Sequence, residues 1–354
     1  MIGGFDSAKG DLEIATSMEP GSPSKHGSPF PLTAELIVEE YLHGVRIDSF
    51  LARHFRNYTP FRMQRMVRAG LVRLEGITAE SDDRVYKGQR VEIRLLEPPD
   101  HLLPPEPREL EVLYEDPWLI VVNKPPDVVV HPCGNYVTGS LANHLQAHFD
   151  ANTPLRGIVR PGVVHRLDRL TSGVIVLTKE HLAHRKLSIH FQESRVSKAY
   201  VAIVHGVMPE DKGEVNMPIG FHASGTTIMM SAAPDALQPR NARTKYEVLE
   251  RFENFTFVKA MPVTGRSHQI RVHLAALGHP VIADEFYSPA DHLTWQDLAA
   301  SPPPDVAATD TLLTRQALHA QTLQFIHPIF RQLVTFTAPL TADMQLVLDT
   351  LRGG

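Results

Sequence analysis

The chain has 354 residues, 43% of them hydrophobic, which suits two globular domains with a sizeable core better than one. Its single cysteine, Cys133, excludes an internal disulfide and a thiolate metal cluster, and favours a reducing compartment. A formal net charge of −5 excludes a uniformly basic polyanion binder, and apolar runs such as 118–122 and 174–177 are far too short to span a bilayer.

Residues 1–32 are rich in Gly, Ser and Pro and have no periodic apolar pattern, so they cannot bury enough surface to offset their ordering entropy. They read as a disordered tail. They also lack the basic and apolar regions of a signal peptide, so a cytoplasmic protein is expected.

Residues 33–97 form a compact unit. Ile47, Phe50, Leu51 and Phe55 share one helix face. A second helix is punctuated by Thr59 as cap, Pro60 at its first position and Gly70 after its end, with Met63, Met66 and Val67 as its buried stripe. Arg62, Arg65 and Arg68 recur at every third position and form a row on the solvent side. No acidic residue interrupts 51–74, so a basic patch sits on an acidic chain and suits a polyanion. Strands follow around Leu71–Leu74 and, after the Lys87-Gly88 turn, Val91–Leu95.

Residues 98–109 carry Pro98-Pro99 and Pro104-Pro105 and read as a semi-rigid linker. From 110 to 354 a second domain is expected. It opens with a strand in WLIVVN and a helix over Leu141–Phe149, whose His144 and His148 lack the Glu and third ligand of a zinc site. A strand over Val174–Thr178, a helix over Leu182–Phe191 and a strand over Ser197–Val204 holding Tyr200 come next. Residues 208–240 read as irregular, Thr244–Arg251 and Thr256–Ala260 as a strand pair, and Pro289–Thr311 as a surface insertion. Strands around Phe325 and over Leu333–Phe336 precede an amphipathic tail.

Two stretches concentrate chemistry. In VHRLDRLTSGVIVLTK, residues 164–179, Asp168 lies between Arg166 and Arg169, just before a glycine and a rigid strand. On spacing alone this reads first as a surface salt bridge. In MPVTGRSHQIRVHLAALGHP, residues 261–280, a helix from about His268 to Leu277 turns Ile270, Leu274 and Leu277 to the core and ends at Gly278 and Pro280. Arg271 falls beside that stripe and needs an anionic partner, for which Asp168 is the natural candidate. No P-loop, dinucleotide glycine fingerprint or G-x-S-x-G elbow is present.

The segments VVNKPPDVVVHP, HRLDRLTSG, SKAYVAIVHG, TGRSHQIRVH, GHPVIADEFY and LHAQTLQFIHP occur in that order over some 220 residues. Together they resemble the RluA-type RNA pseudouridine synthase family. The front unit is similar to the S-four RNA-binding domain, an arrangement closest to members that act on large-subunit ribosomal RNA. The resemblance implies an α+β fold, with a catalytic domain around a long mixed, mainly antiparallel sheet preceded by a small α/β RNA-binding domain. It implies an isomerase that converts specific uridines of RNA, foremost in large-subunit (23S) ribosomal RNA, to pseudouridine. No cofactor and no metal are expected, RNA is the expected partner, and a monomer is expected.

Residue by residue, Asp168 matches the family's catalytic aspartate, Tyr200 the tyrosine that stacks on the target uracil, and Arg271 the arginine that pairs with the aspartate. Arg166 matches the arginine that fills the place of the flipped uridine, and Arg62, Arg65 and Arg68 match the RNA-facing row of the front domain. His131, His165, His268 and His273 are expected to hold loops, and Lys124 to act as scaffold or as a phosphate contact. Three positions depart from the family pattern. Glu75 stands in a usual Asn-Gly turn, and Asp127 and Ala283 stand where glycine is usual. Rival readings are a catalytically idle RNA-binding or ribosome-assembly factor, a synthase acting on transfer RNA and, more weakly, a metal-dependent hydrolase.

Overall fold

A computed structural model describes residues 34–94, 103–134, 137–152, 157, 159–226, 228–298 and 302–353. The expected tail over residues 1–32, the start of the linker at 98–102 and Leu95 of the expected strand lie outside them. The chain divides into two compact units. One holds residues up to 107 with 143–161 and 179–181, and the other holds 108–142, 162–178 and 182–354.

In the first unit, strand β1 (Ala34–Ile37) is followed by helices α1 (Ile47–His54) and α2 (Pro60–Arg68), then by β2 (Val72–Leu74), β3 (Ile77–Thr78) and β4 (Arg90–Ile93). The sheet order is β1-β4-β2-β3. Thr59 Oγ1 accepts the Arg62 N–H, Pro60 sits in the first turn, and Gly70 takes φ +71 past the end, so α2 is bounded as its sequence predicts. Ile47, Phe50, Leu51, Phe55, Met63 and Val67 fill the core. Arg65 and Arg68 are exposed, while Arg62 is half-buried with its guanidinium 5.4 Å from the Tyr58 ring centroid. Glu75 and Gly76 both take positive φ in the β2–β3 turn, and the Glu75 carboxylate accepts the Arg90 N–H.

The second unit is built on a ten-stranded sheet. Its strands include β5 (Glu111–Glu115), β6 (Leu119–Lys124), β7 (Ser172–Thr178), β8 (Ser197–His205), β9 (Lys212–Asn216), β10 (Arg243–Arg251), β11 (Phe255–Pro262), β12 (Leu318–Ile326) and β13 (Leu333–Thr337). The order is β9-β10-β11-β8-β12-β7-β6-β5, with β13 on β12 and the short strand Gly162–Val163 on β7. One pairing is parallel, where Ser172 meets His319 and Gly173 meets Ala320; the others are antiparallel. All seven residues of β7 are buried, which is why that stretch is a continuous apolar run rather than an alternating one. Between β8 and the C-terminal helix over Ala342–Gly353, Val201, Ile203, Val258, Leu274, Met344 and Val347 belong to one core cluster.

Two expectations are corrected. Residues 208–240 are not irregular: besides β9 they contain a three-stranded sheet of Ile219–Phe221, Met230–Ser231 and Leu237–Arg240. Its strands are two to four residues long and Leu237–Arg240 is exposed throughout, so no apolar alternation announces them. The second correction is Leu277, which is the cap of the helix Gln269–Ala276 and is 39% exposed instead of facing the core. That helix ends with His279 N–H donating to Leu274 O and Gly278 N–H to Ala275 O, a Schellman motif that turns the cap outward.

Candidate active site

The loop at 164–171 is fastened along its second half. Thr171 N–H donates to Asp168 O at 3.1 Å, Lys124 Nζ to Arg169 O at 3.1 Å, and Arg315 Nη1 to Leu170 O at 3.2 Å. Gln316 Nε2 donates to Thr171 Oγ1 at 3.2 Å, and Ser172 Oγ lies 2.9 Å from His319 Nδ1. Leu167 is buried while Arg166 points to solvent. A charged loop held this way is a rigid platform, not a mobile surface turn.

Asp168 sits at the centre of two adjoining clefts. One, of about 480 Å³, is lined by Asp168, Lys198, Tyr200, His268 and Arg271. The other, of about 610 Å³, continues past Arg166, Arg169, Met230, Arg240 and Phe286. Arg271 Nη1 donates to Asp168 Oδ2 at 3.1 Å, as the sequence predicts. The principal partner of Arg271 is Asp284, which accepts from Nε at 2.6 Å and from Nη2 at 2.7 Å. The side chains of Arg271 and Asp284 are 2% and 0% exposed, against 21% for Asp168. Arg271 also lies 5.2 Å from the Tyr287 ring centroid and 5.6 Å from that of Phe286. Burial disfavours its charge, but the hydrogen bonds and charge of Asp284, and then of Asp168, outweigh burial and raise its pKa above the ordinary arginine value. The guanidinium is therefore a permanent cation fixed from behind and presenting one N–H to Asp168. Asp168 Oδ1 has no hydrogen-bond partner among the described residues.

Tyr200 lies on β8 opposite Ala320 of β12, beside a bulge that leaves Gln321 unpaired between Ala199 and Tyr200. Burial, and then the charge of Asp168, raise its phenol above the ordinary tyrosine range, so the hydroxyl is protonated at neutral pH. His165 Nε2 accepts the Val176 N–H at 3.1 Å and its ring stacks on Phe191, with centroids 4.4 Å apart. Burial and the charge of Lys198 push it down to about 3, so it is a neutral wall of the cleft. His268 Nδ1 lies 2.9 Å from Tyr287 Oη, and His273 bridges Thr244 Oγ1 and Met217 O. These three histidines hold structure, as expected. Nδ1 of His131 is buried with no partner.

Lys124 is fully buried and donates to the carbonyls of Pro125, Val128 and Arg169. Burial pulls it down to about 7, while three acceptors use all three protons of the charged form. Of its two expected roles it performs the scaffold one. Arg169 bonds Asp127 across two loops. Asp127 and Ala283 take φ +64 and +54, so the backbone is left-handed at both departures from glycine. The residue that sequence reasoning missed is Asp284. Its signal was the buried Arg271, whose planar fork calls for a two-oxygen partner that Asp168 alone does not supply. Among the described residues no group of three or more histidines, cysteines and carboxylates is placed to hold a metal.

The RNA pseudouridylate synthase family profile matches residues 118–276. The chain is 34% identical over 318 residues to an uncharacterized RNA pseudouridine synthase, YlyB, of Bacillus subtilis (strain 168), covering 90% of this chain and 98% of that protein. It is 34% identical over 329 residues to ribosomal large subunit pseudouridine synthase D of Haemophilus influenzae (strain ATCC 51907 / DSM 11121 / KW20 / Rd), covering 91% and 95%. Among solved structures, human RNA pseudouridylate synthase domain containing 1 aligns with a TM-score of 0.51 at 26% identity, over 70% of this chain and 98% of that one.

Proposed function

This chain belongs to the RNA pseudouridine synthase family, and from that premise we propose that it isomerises particular uridines of large-subunit ribosomal RNA, with Asp168, Tyr200 and Arg271 as its catalytic residues. The reaction breaks the bond between N1 of uracil and C1′ of ribose, turns the base, and joins C5 to C1′. The observation that carries the assignment is the Asp284–Arg271–Asp168 chain. A permanently charged guanidinium, locked by one carboxylate, aims a second carboxylate into a cleft that also holds a protonated tyrosine.

In this reading Asp168 reacts through Oδ1, the oxygen that Arg271 leaves open. Tyr200 offers its ring as a stacking face for the uracil, and its raised pKa suits that role better than a resting phenolate base. Arg166, exposed at the junction of the two clefts, fills the gap that the extruded uridine leaves in the RNA and offsets part of the few kcal/mol that flipping costs. Arg62, Arg65 and Arg68 contact the RNA backbone. Relatives named for the ribosomal large subunit support that substrate over transfer RNA. We place the enzyme in the cytoplasm as a monomer working without metal or redox cofactor. The isomerisation is redox-neutral, and one cysteine suits a reducing compartment. No described helix is long and apolar enough to cross a membrane.

The test is tritium release from RNA carrying 5-tritiated uridine. The wild type releases tritium from large-subunit ribosomal RNA, and Asp168→Asn abolishes release while still binding that RNA. An Asp168→Asn protein with wild-type release removes Asp168 from catalysis, and a wild type that releases none from any RNA leaves the idle-factor reading. Comparing pseudouridine maps of total RNA with and without the gene identifies the target.

A further inference from the structure

Strand alternation puts Lys198 and Tyr200 on the same face of β8, and both line the cleft that holds Asp168 and Arg271. Lys198 Nζ donates to Thr264 O at 3.2 Å, and no carboxylate pairs with it among the described residues. Burial alone lowers its pKa, to about 8, so at neutral pH it is a cation drawn partly out of water with no anion opposite. A desolvated, unpaired charge is costly, and clefts that keep one have a ligand charge to set against it. The other cations of this cleft are either paired or exposed. Arg271 gives its donors to Asp284 and Asp168, Arg266 is exposed at the rim with Nε on Asn241 O, and Arg166 is exposed.

The isomerisation creates a charge of the complementary sign. When the bond between N1 and C1′ breaks, its electron pair stays on the base as a uracil anion spread over N1, O2 and O4, and Asp168 offsets the deficit on the sugar. After the base turns, C5 supplies the pair for the new bond to C1′. The C5 proton is then lost and N1 ends protonated. We propose that Lys198 is a further catalytic residue, whose ammonium hydrogen-bonds an exocyclic oxygen of the detached uracil and stabilises its negative charge while the base turns against Tyr200. A point charge on a four-carbon stem can follow a moving oxygen, which the locked fork of Arg271 cannot. The role rests on the synthase reading.

The test is single-turnover tritium release by the full chain from a large-subunit ribosomal RNA transcript carrying 5-tritiated uridine, with RNA affinity measured in parallel. Lys198→Met lowers the rate at saturating enzyme about 100-fold and leaves RNA affinity within about threefold. Lys198→Arg, which keeps the charge, recovers at least about a tenth of the wild-type rate. Lys198→Gln takes the place of Lys198→Met if thermal unfolding shows the latter to be unfolded. A neutral variant with a saturating rate within about threefold of wild type overturns the proposal, as does a loss confined to affinity, which makes Lys198 a phosphate contact. An arginine variant as slow as the neutral one overturns it too. If the wild type itself releases no tritium, the synthase reading falls and takes this role with it; an active wild type beside an equally active neutral variant removes the lysine alone.

Discussion

At the scale of single residues, the cleft shows how burial sorts groups that sequence alone leaves alike. His165, His268 and His273 are all near catalytic segments, yet each is consumed by hydrogen bonds to its own scaffold. For His165 this has a pH consequence. The ring must be neutral to accept the Val176 N–H, and it protonates at about 3, whereas an unfolded histidine does so near 6.5. Between those values the unfolded chain binds one more proton than the folded one. The stability contributed is thus fully present above the unfolded value and is lost as pH falls towards 3, by about 1.4 kcal/mol per pH unit from this group. Urea midpoints measured at about pH 7 and pH 4.5 test it, and wild type should fall more than His165→Asn, whose amide oxygen accepts the same N–H without titrating. Equal falls would remove His165 from the acid response. The meeting of Asp168, Tyr200 and Arg271 in one cleft was legible from their motifs, while the part of Asp284 was not, because a two-oxygen partner is a geometric need that no spacing rule encodes.

At the scale of elements, the central strand β7 was legible as an unbroken apolar run and α2 as a capped, punctuated helix. The small sheet within 208–240 was not, since its strands are two to four residues long and carry no period, even though Ile219 is buried. Nor does the sequence say why Gly173 is glycine. Its φ is +113, and a Cβ there would stand 2.2 Å from Ala320 O and 2.7 Å from Ala320 N, inside the parallel contact with β12. Gly173→Ala should therefore cost about 2–4 kcal/mol by urea unfolding and lower tritium release, because the strand that follows Asp168 can no longer lie against β12. A variant as stable and active as wild type would show that the two strands part without consequence.

At the scale of the whole molecule, a net charge of −5 coexists with an acid-free arginine stretch over 51–74, so local potential rather than the total decides what the protein binds. Replacing Arg62, Arg65 and Arg68 by Gln should weaken RNA binding and reduce the slope of log affinity against log salt by roughly 2 to 3. Unchanged affinity and slope across salt concentrations would take the front unit out of RNA binding. The proline-rich stretch is where the sequence puts its linker, but nothing in the sequence marks 143–161 and 179–181 as part of the first unit, because long-range contacts leave no local period. The short parallel contact of β7 with β12 has one more consequence, for the order in which the molecule assembles. Ser172 bonds His319 across 147 residues of chain, and that closure must be made before Asp168 and Tyr200 face one cleft. Closing so long a loop costs more chain entropy than joining antiparallel neighbours such as β10 and β11, whose connection is far shorter. The hairpins form early and the chemistry forms late, so a chain still being synthesised holds its catalytic groups apart until β12 has emerged.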